Sequence, residues 1–261
     1  MIKFFRKIRL KTLSENKFGK YLTYAIGEII LVMIGILLAL QVNNWNIKRI
    51  EKQTEIKFLK GLKNDLQADL KNLKLFIDDK IAKENSAATL LKYSSPQNPN
   101  EIRKLDSTIW QVFKWNEFHP SSNTLDEIIG SGSLSLIEND TLKENLLNIK
   151  HKYVLIGVGT NHMRTEYENY LYNRSAELRE LMPYLDVETY IKSDILKHFG
   201  EINSLNFDLY KNQIDNLLQD QTFRNGLKLS VLNNHSMRLK CEVVYNEVNY
   251  LIEQIDTEVL K

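Results

Sequence analysis

Residues 21–42 read YLTYAIGEIILVMIGILLALQV, and this stretch decides how the rest of the chain is understood. Twenty-two residues at about 1.5 Å each make a helix of roughly 33 Å, enough to cross a hydrocarbon core of about 30 Å. Only Thr23, Glu28 and Gln41 carry polar side chains within it. Tyr21 and Tyr24 lie toward one end and Trp45 just past the other, where amphipathic rings favour the membrane interfaces. A cleavable signal peptide has a shorter apolar region ending in a small-x-small site, but Leu37 stands at the critical spacing before Ala39. The stretch is therefore expected to be an uncleaved signal anchor that places the protein in the lipid bilayer.

Charge sets the expected orientation. Lys3, Arg6, Lys7, Arg9, Lys11, Lys17 and Lys20 precede the span against a single acid, Glu15. Lys48, Arg49 and Lys52 follow it against Glu51 and Glu55. The positive-inside rule then assigns residues 1–20 to a basic cytoplasmic tail, 21–42 to the inner-membrane span and 43–261 to an extracytoplasmic, periplasmic domain. Setting aside the seven basic and two acidic residues of the first 42 positions leaves 28 basic against 31 acidic residues beyond the span. The basic tail suits anionic lipid, and no basic patch interleaved with aromatics points to nucleic acid.

Beyond the span the chain reads as all-α, an elongated helical bundle into which the membrane helix continues without a stop signal. Leu59, Leu62, Leu66, Leu70, Leu73, Ile77 and Ile81 form one apolar seam whose steps fit an eleven-residue period. YSSPQNPN at 93–100 breaks it. A shorter helix is expected from Glu101 to Phe118, then one capped by Ser122 or Asn123 that stops at Gly130 or Gly132. Asn139 opens a long helix in which Leu142, Leu146, Ile149, Tyr153, Ile156, Thr160, Met163 and Tyr167 keep coiled-coil spacing until Pro183. Short helices near 191–199 and 209–218 follow. A last long helix starts near Asp220, with a heptad seam of Cys241, Tyr245, Val248, Ile252, Ile255 and Val259. Three long segments of similar length are expected to pack side by side.

FFRKIR, SENKFGKYLTYAIGEIILVMIGILLALQVNNWN, NTLDEIIGSGSLSLIENDTLKENLL and LLQDQTFRNGL resemble a domain-of-unknown-function family of single-pass membrane proteins common in Bacteroidota. The resemblance implies a membrane location and a helical exported domain, and it supplies no activity and no functional residues. One departure is Leu125, where the resemblance leads to an aromatic residue.

Few residues invite chemistry. Glu28 lies about 5 Å from the span's midplane, where an acid costs on the order of 2.5 kcal/mol or more. It must be protonated or paired, either in a proton-linked role or in a contact between subunits. Thr23, Gly27, Gly35 and Ala39 recur at steps of four or eight on one face, with Glu28 at its edge, and form a candidate surface for homo-oligomers. His119, His151, His162, His198 and His235 lack metal-ligand spacing. Cys241, the only cysteine, stands at a seam position. Gly157-Val158-Gly159 lacks the third glycine and the preceding strand of a nucleotide loop, so close helix contact or a kink is expected there. Tyr167, Tyr170 and Tyr172 crowd one region, with core packing expected. No pair of carboxylates is singled out for acid-base work, so neither enzyme activity nor a cofactor is expected.

Two function classes fit these observations. One is an interaction or scaffold protein of the envelope; the other is a sensory subunit signalling through a membrane partner. A polar pocket inside the bundle favours sensing, and an apolar patch outside it favours scaffolding.

Overall fold

The computed structural model describes residues 18–181 and 204–260. Their regular structure is helical, with no strand among them. They comprise α1 (Phe18–Leu91), α2 (Pro99–Phe113), α3 (Asn123–Gly130), a 3-10 turn (Ser133–Leu136), α4 (Asp140–Glu166), a π turn (Tyr167–Tyr172), α5 (Asn173–Leu178), α6 (Ser204–Gln219) and α7 (Gln221–Val259). The helices expected at 191–199 and the stop at Pro183 fall outside the described residues.

The chain divides into two compact units, Met1–Lys57 and Phe58–Lys261, and α1 runs through the boundary unbroken. In the first unit α1 is long and apolar enough to cross a membrane. Its large apolar side chains from Leu22 to Val42 stand 44–66% exposed, so none of the described residues of the unit buries them. Thr23 donates to the Gly19 carbonyl at 3.0 Å, which satisfies its hydroxyl inside the helix.

In the second unit α1, α4 and α7 pack lengthwise. Asn139 pairs with Glu258, Asn145 with Gln254, Lys152 with Glu247, and Asn233 with Glu166. Partner numbers fall along α7 as they rise along α4, so these two helices are antiparallel. Lys63 meets Asp256 and Glu84 meets His235, so α7 is antiparallel to α1 as well.

From Leu59 to Leu90 the buried positions on α1 are 59, 62, 66, 69, 73, 76, 77, 80, 83, 87 and 90, and all but Ile77 alternate steps of three and four. This heptad corrects the eleven-residue period, which came from counting apolar residues only and so passed over Asp69, Lys80 and Lys83. On α7 the buried set is Phe223, Gly226 and Leu227, then Asn234, Met237, Cys241, Val244, Val248, Leu251, Ile255 and Glu258. Tyr245, Ile252 and Val259, expected in that seam, lie at its partly buried edge. Val244-Tyr245 and Leu251-Ile252 are adjacent apolar pairs, so pattern alone cannot choose between them. The α4 seam is placed as expected from Leu142 to Thr160, and the π turn then carries Leu171 and Ser175 into the interior.

Helix ends follow local chemistry. Asn98 caps α2 by accepting from the Glu101 amide, while the Glu101 carboxylate accepts from the Gln97 amide and from Asn98 Nδ2, with Pro99 in the first turn. Asn139 caps α4 through the Leu142 amide, and Asp220 caps α7 through the Phe223 amide. α2 stops at Phe113 rather than Phe118, because the chain leaves the helix to place Phe118 in the core against Phe76 and Tyr153. The expected Ser122 cap also differs. Asp65 on α1 accepts from the Thr124 amide at 2.9 Å and Asp69 from the Ser121 amide at 2.6 Å, so another helix caps α3. Gly132 takes φ 71°, the left-handed conformation that suits glycine after a helix end. At Gly226 an added Cβ meets Tyr170 Cβ and Leu171 Cδ2 at 2.8 Å, so this glycine lets α7 approach the π turn. Gly159 likewise faces Met237, while Gly157 meets nothing, and both remain within regular α4.

Candidate functional site: a polar layer between two cores

Two hydrophobic cores fill the second unit. The first joins α1 from Leu59 to Ile77, α4 up to Ile156 and α7 from Met237 to Ile255. The second joins Ala87 and Leu90 of α1 with α2, Leu171, α6, Phe223 and Leu227. Between them each long helix places polar residues at seam positions: Lys80 and Lys83 on α1, Thr160 on α4, and Asn234 on α7. All four are 4% exposed or less.

The two ammonium groups share one carboxylate oxygen. Asp79 Oδ2 lies 3.3 Å from Lys80 Nζ and 3.4 Å from Lys83 Nζ. Lys80 Nζ stands 4.2 Å from the centre of the Phe76 ring, and Lys83 Nζ 5.5 Å from that of Trp115, so aromatic faces offset part of the desolvation. Burial lowers the affinity of Lys80 for its proton. Burial, with Lys80 alongside, lowers Lys83 to about 8. A cavity of about 30 Å³ opens here, lined by both lysines, Trp115, Thr160, Glu166, Tyr167, Ser230, Asn233 and Asn234 among others.

The surrounding polar groups are mostly engaged with one another. Glu166 accepts from Asn233 and lies 3.3 Å from His162, while Thr160 donates to the Ile156 carbonyl. Asn234 Nδ2 donates to the carbonyl and hydroxyl of Ser230, and its Oδ1 has no hydrogen-bond partner among the described residues. Tyr167 donates to the Phe113 carbonyl at 2.6 Å, and its ring packs with Phe113, Trp115 and Tyr172. Tyr170 and Tyr172 are 40% exposed, so the tyrosine group is only partly core.

Reading the residues for apolar periodicity misses this layer, because lysine and asparagine are not counted. Extending the heptad of Leu59, Leu62 and Leu66 by its own steps lands on Asp69, Lys80 and Lys83, and that extension is the signal that finds them.

The residues singled out in the span lie elsewhere. Gly27, Glu28, Gly35 and Ala39 are all exposed in the first unit, and nothing approaches within 4 Å of a Cβ built on Gly27 or Gly35. Among the described histidines, His119 and His162 are 81% and 76% exposed at their side chains, and His235 lies 2.8 Å from Glu84. No group of three or more metal-ligating side chains occurs among the described residues. Cys241 is fully buried in the first core, and burial pushes its thiol up to about 11. Beside Leu125 a second cavity of about 20 Å³ is lined by Asp69 and Tyr153, at the position where an aromatic was expected.

No curated protein and no solved structure matched this chain. The stretch from Glu28 through the α1 lysines, α2, α3, α4 and the π turn lies within residues 28–176, which match the family of unknown function DUF6090, and the chain belongs to that family.

Proposed function

We propose that the protein is a single-pass, membrane-anchored interaction protein of the cell envelope. Residues 21–42 hold it in the inner membrane with the basic N-terminus in the cytoplasm, and the helical unit works on the periplasmic side. The observation that carries the interaction role is the outward apolar stripe on α4. Leu147, Val154, Leu155 and Val158 are 43–60% exposed and lie opposite the buried seam of Leu142, Leu146, Ile149, Tyr153 and Ile156. Leu232, Leu239, Val243 and Tyr250 repeat the arrangement on α7 at steps of seven, four and seven. Isolated surface apolar residues are ordinary, but aligned stripes on two helices are suited to a helical partner. That partner is an envelope protein presenting an apolar helix.

The test is a photo-crosslinking residue placed at Val154, at Val243 and, as a control, at exposed Lys104 in the full chain in its own cells. A defined adduct is expected from Val154 and Val243 and not from Lys104. Equal signals from all three positions contradict the interaction role.

The polar layer favours a second reading, a sensory subunit whose exported bundle binds a ligand and signals through a membrane partner. Its support is the cavity lined by Lys80 and Lys83 inside the bundle.

A further inference from the structure

We propose that the exposed stripes of α4 and α7 bind each other between copies, so that α4 of one protomer lies antiparallel against α7 of a second copy of this chain. The inference rests on the interaction role proposed above and names its partner.

The two stripes stand at the same level. Asn145 meets Gln254 and Lys152 meets Glu247, seven residues further along each helix in opposite directions. Leu147 of α4 is therefore level with Ile252 of α7, Val154 with Tyr245 and Val158 with Cys241. The exposed residues Tyr250, Val243 and Leu239 each stand two residues from those levels, about 3 Å along the axis. That offset is roughly half a helical turn, so the side chains of one stripe can enter the gaps of the other.

The two stripes also carry the same pattern, read in opposite directions. Ascending α4, Leu147, His151, Val154, Val158 and Asn161 follow steps of four, three, four and three. Descending α7, Tyr250, Asn246, Val243, Leu239 and Ser236 follow the same steps. All of these residues are exposed, and both series run apolar, polar, apolar, apolar, polar. Antiparallel pairing at matched level thus sets apolar against apolar and polar against polar with coiled-coil spacing. Beyond Leu147 and Tyr250 the stripes reach the exposed acids Glu144 and Glu253, which end the contact.

Rotation about an axis along the helices carries one copy to the next without changing level. It leaves Phe58, where each chain enters the helical unit, at the same end in both copies, as two chains rooted in one bilayer require. The contact is heterologous, and its repetition around a ring covers both stripes on every copy. A stripe that meets its own twin leaves the other stripe bare.

The test co-expresses two full chains with different tags, one carrying Val154→Cys and the other Val243→Cys. Cys241 is fully buried and stays in place, and chains without an added cysteine serve as the blank. Membranes are treated with a short bis-maleimide. A product joining the two tags is expected. It should be lost when Leu232→Cys replaces Val243→Cys, because that position lies about 20 Å further along the axis from Val154. It should also be lost when Val158→Asp is added to the first chain. No mixed product, equal product from the Val243 and Leu232 chains, or a stronger product between two Val154→Cys chains overturns the pairing. The photo-crosslinks at Val154 and Val243 separate this inference from the role it rests on. Adducts with a different protein alone leave the interaction role standing and overturn the second copy, whereas absence of any adduct overturns both.

Discussion

Lys83 holds its ammonium group 3.4 Å from a carboxylate oxygen that Lys80 also uses, inside a side-chain environment 5% exposed. The consequence is a pH dependence of defined sign. Burial lowers its pKa from 10.5 to about 8 in the fold. Below pH 8 the folded state bears the full cost of the buried charge, and as pH rises from 8 toward 10.5 that cost is relieved. The relief is on the order of 3 kcal/mol. Lys80, lowered in the same way, acts in the same direction, and with Asp79 and Lys114 it makes up the charged neighbours of Lys83. Cys241 and Tyr167, raised to about 11 and about 12, act in the opposite direction at higher pH. The informative quantity is therefore a difference. The unfolding free energy of wild type minus that of Lys83→Met should climb between pH 8 and 10.5, as chemical denaturation at each pH will show. A flat difference means that Lys83 is not held charged and buried at neutral pH.

Two regimes of packing divide helix α1. From Phe58 onward its seam is dictated by α4 and α7, and it was legible in Leu59, Leu62, Leu66, Leu73 and Ile77 because aliphatic residues dominate there. It became illegible at Asp69, Lys80 and Lys83, where polar side chains hold seam positions that composition assigns to solvent. The cap on α3 was hidden for a related reason, since Asp65 and Asp69 act across about sixty residues of sequence and no local signal announces them. The π turn at 167–172 was likewise unannounced, because YENYLY is unremarkable as an α-helix. In its apolar first part α1 has no packing partner among the described residues of its unit, and Gly27 and Gly35 leave one side open to close approach. Small residues at four-residue spacing let two such helices meet, and Glu28 at the edge can hydrogen-bond across the contact. Gly35→Ile should lower self-association in an in-membrane assay about fivefold, equivalent to roughly 1 kcal/mol. A signal equal to wild type means that another face, or none, mediates the contact. A loss confined to Glu28→Gln points instead to a proton-dependent role.

For the whole molecule, charge and hydropathy carry the central claim, a chain anchored by one helix with its helical unit outside the cytoplasm. The all-helical fold was legible because proline, asparagine and glycine punctuate long periodic segments, and the stops at 93–98 and 130–132 fall where that punctuation stands. The polar layer was not, because it depends on three helices bringing Lys80, Lys83, Thr160 and Asn234 to one level. Which side of the membrane that layer faces decides what ions and partners it meets. The most direct test introduces cysteine at exposed Lys104 in a Cys241→Ser background and treats intact spheroplasts with a membrane-impermeant maleimide. Labelling before lysis, at the same extent as after lysis, is the predicted result. Protection until the membrane is broken contradicts the orientation and, with it, the placement of the helical unit in the envelope.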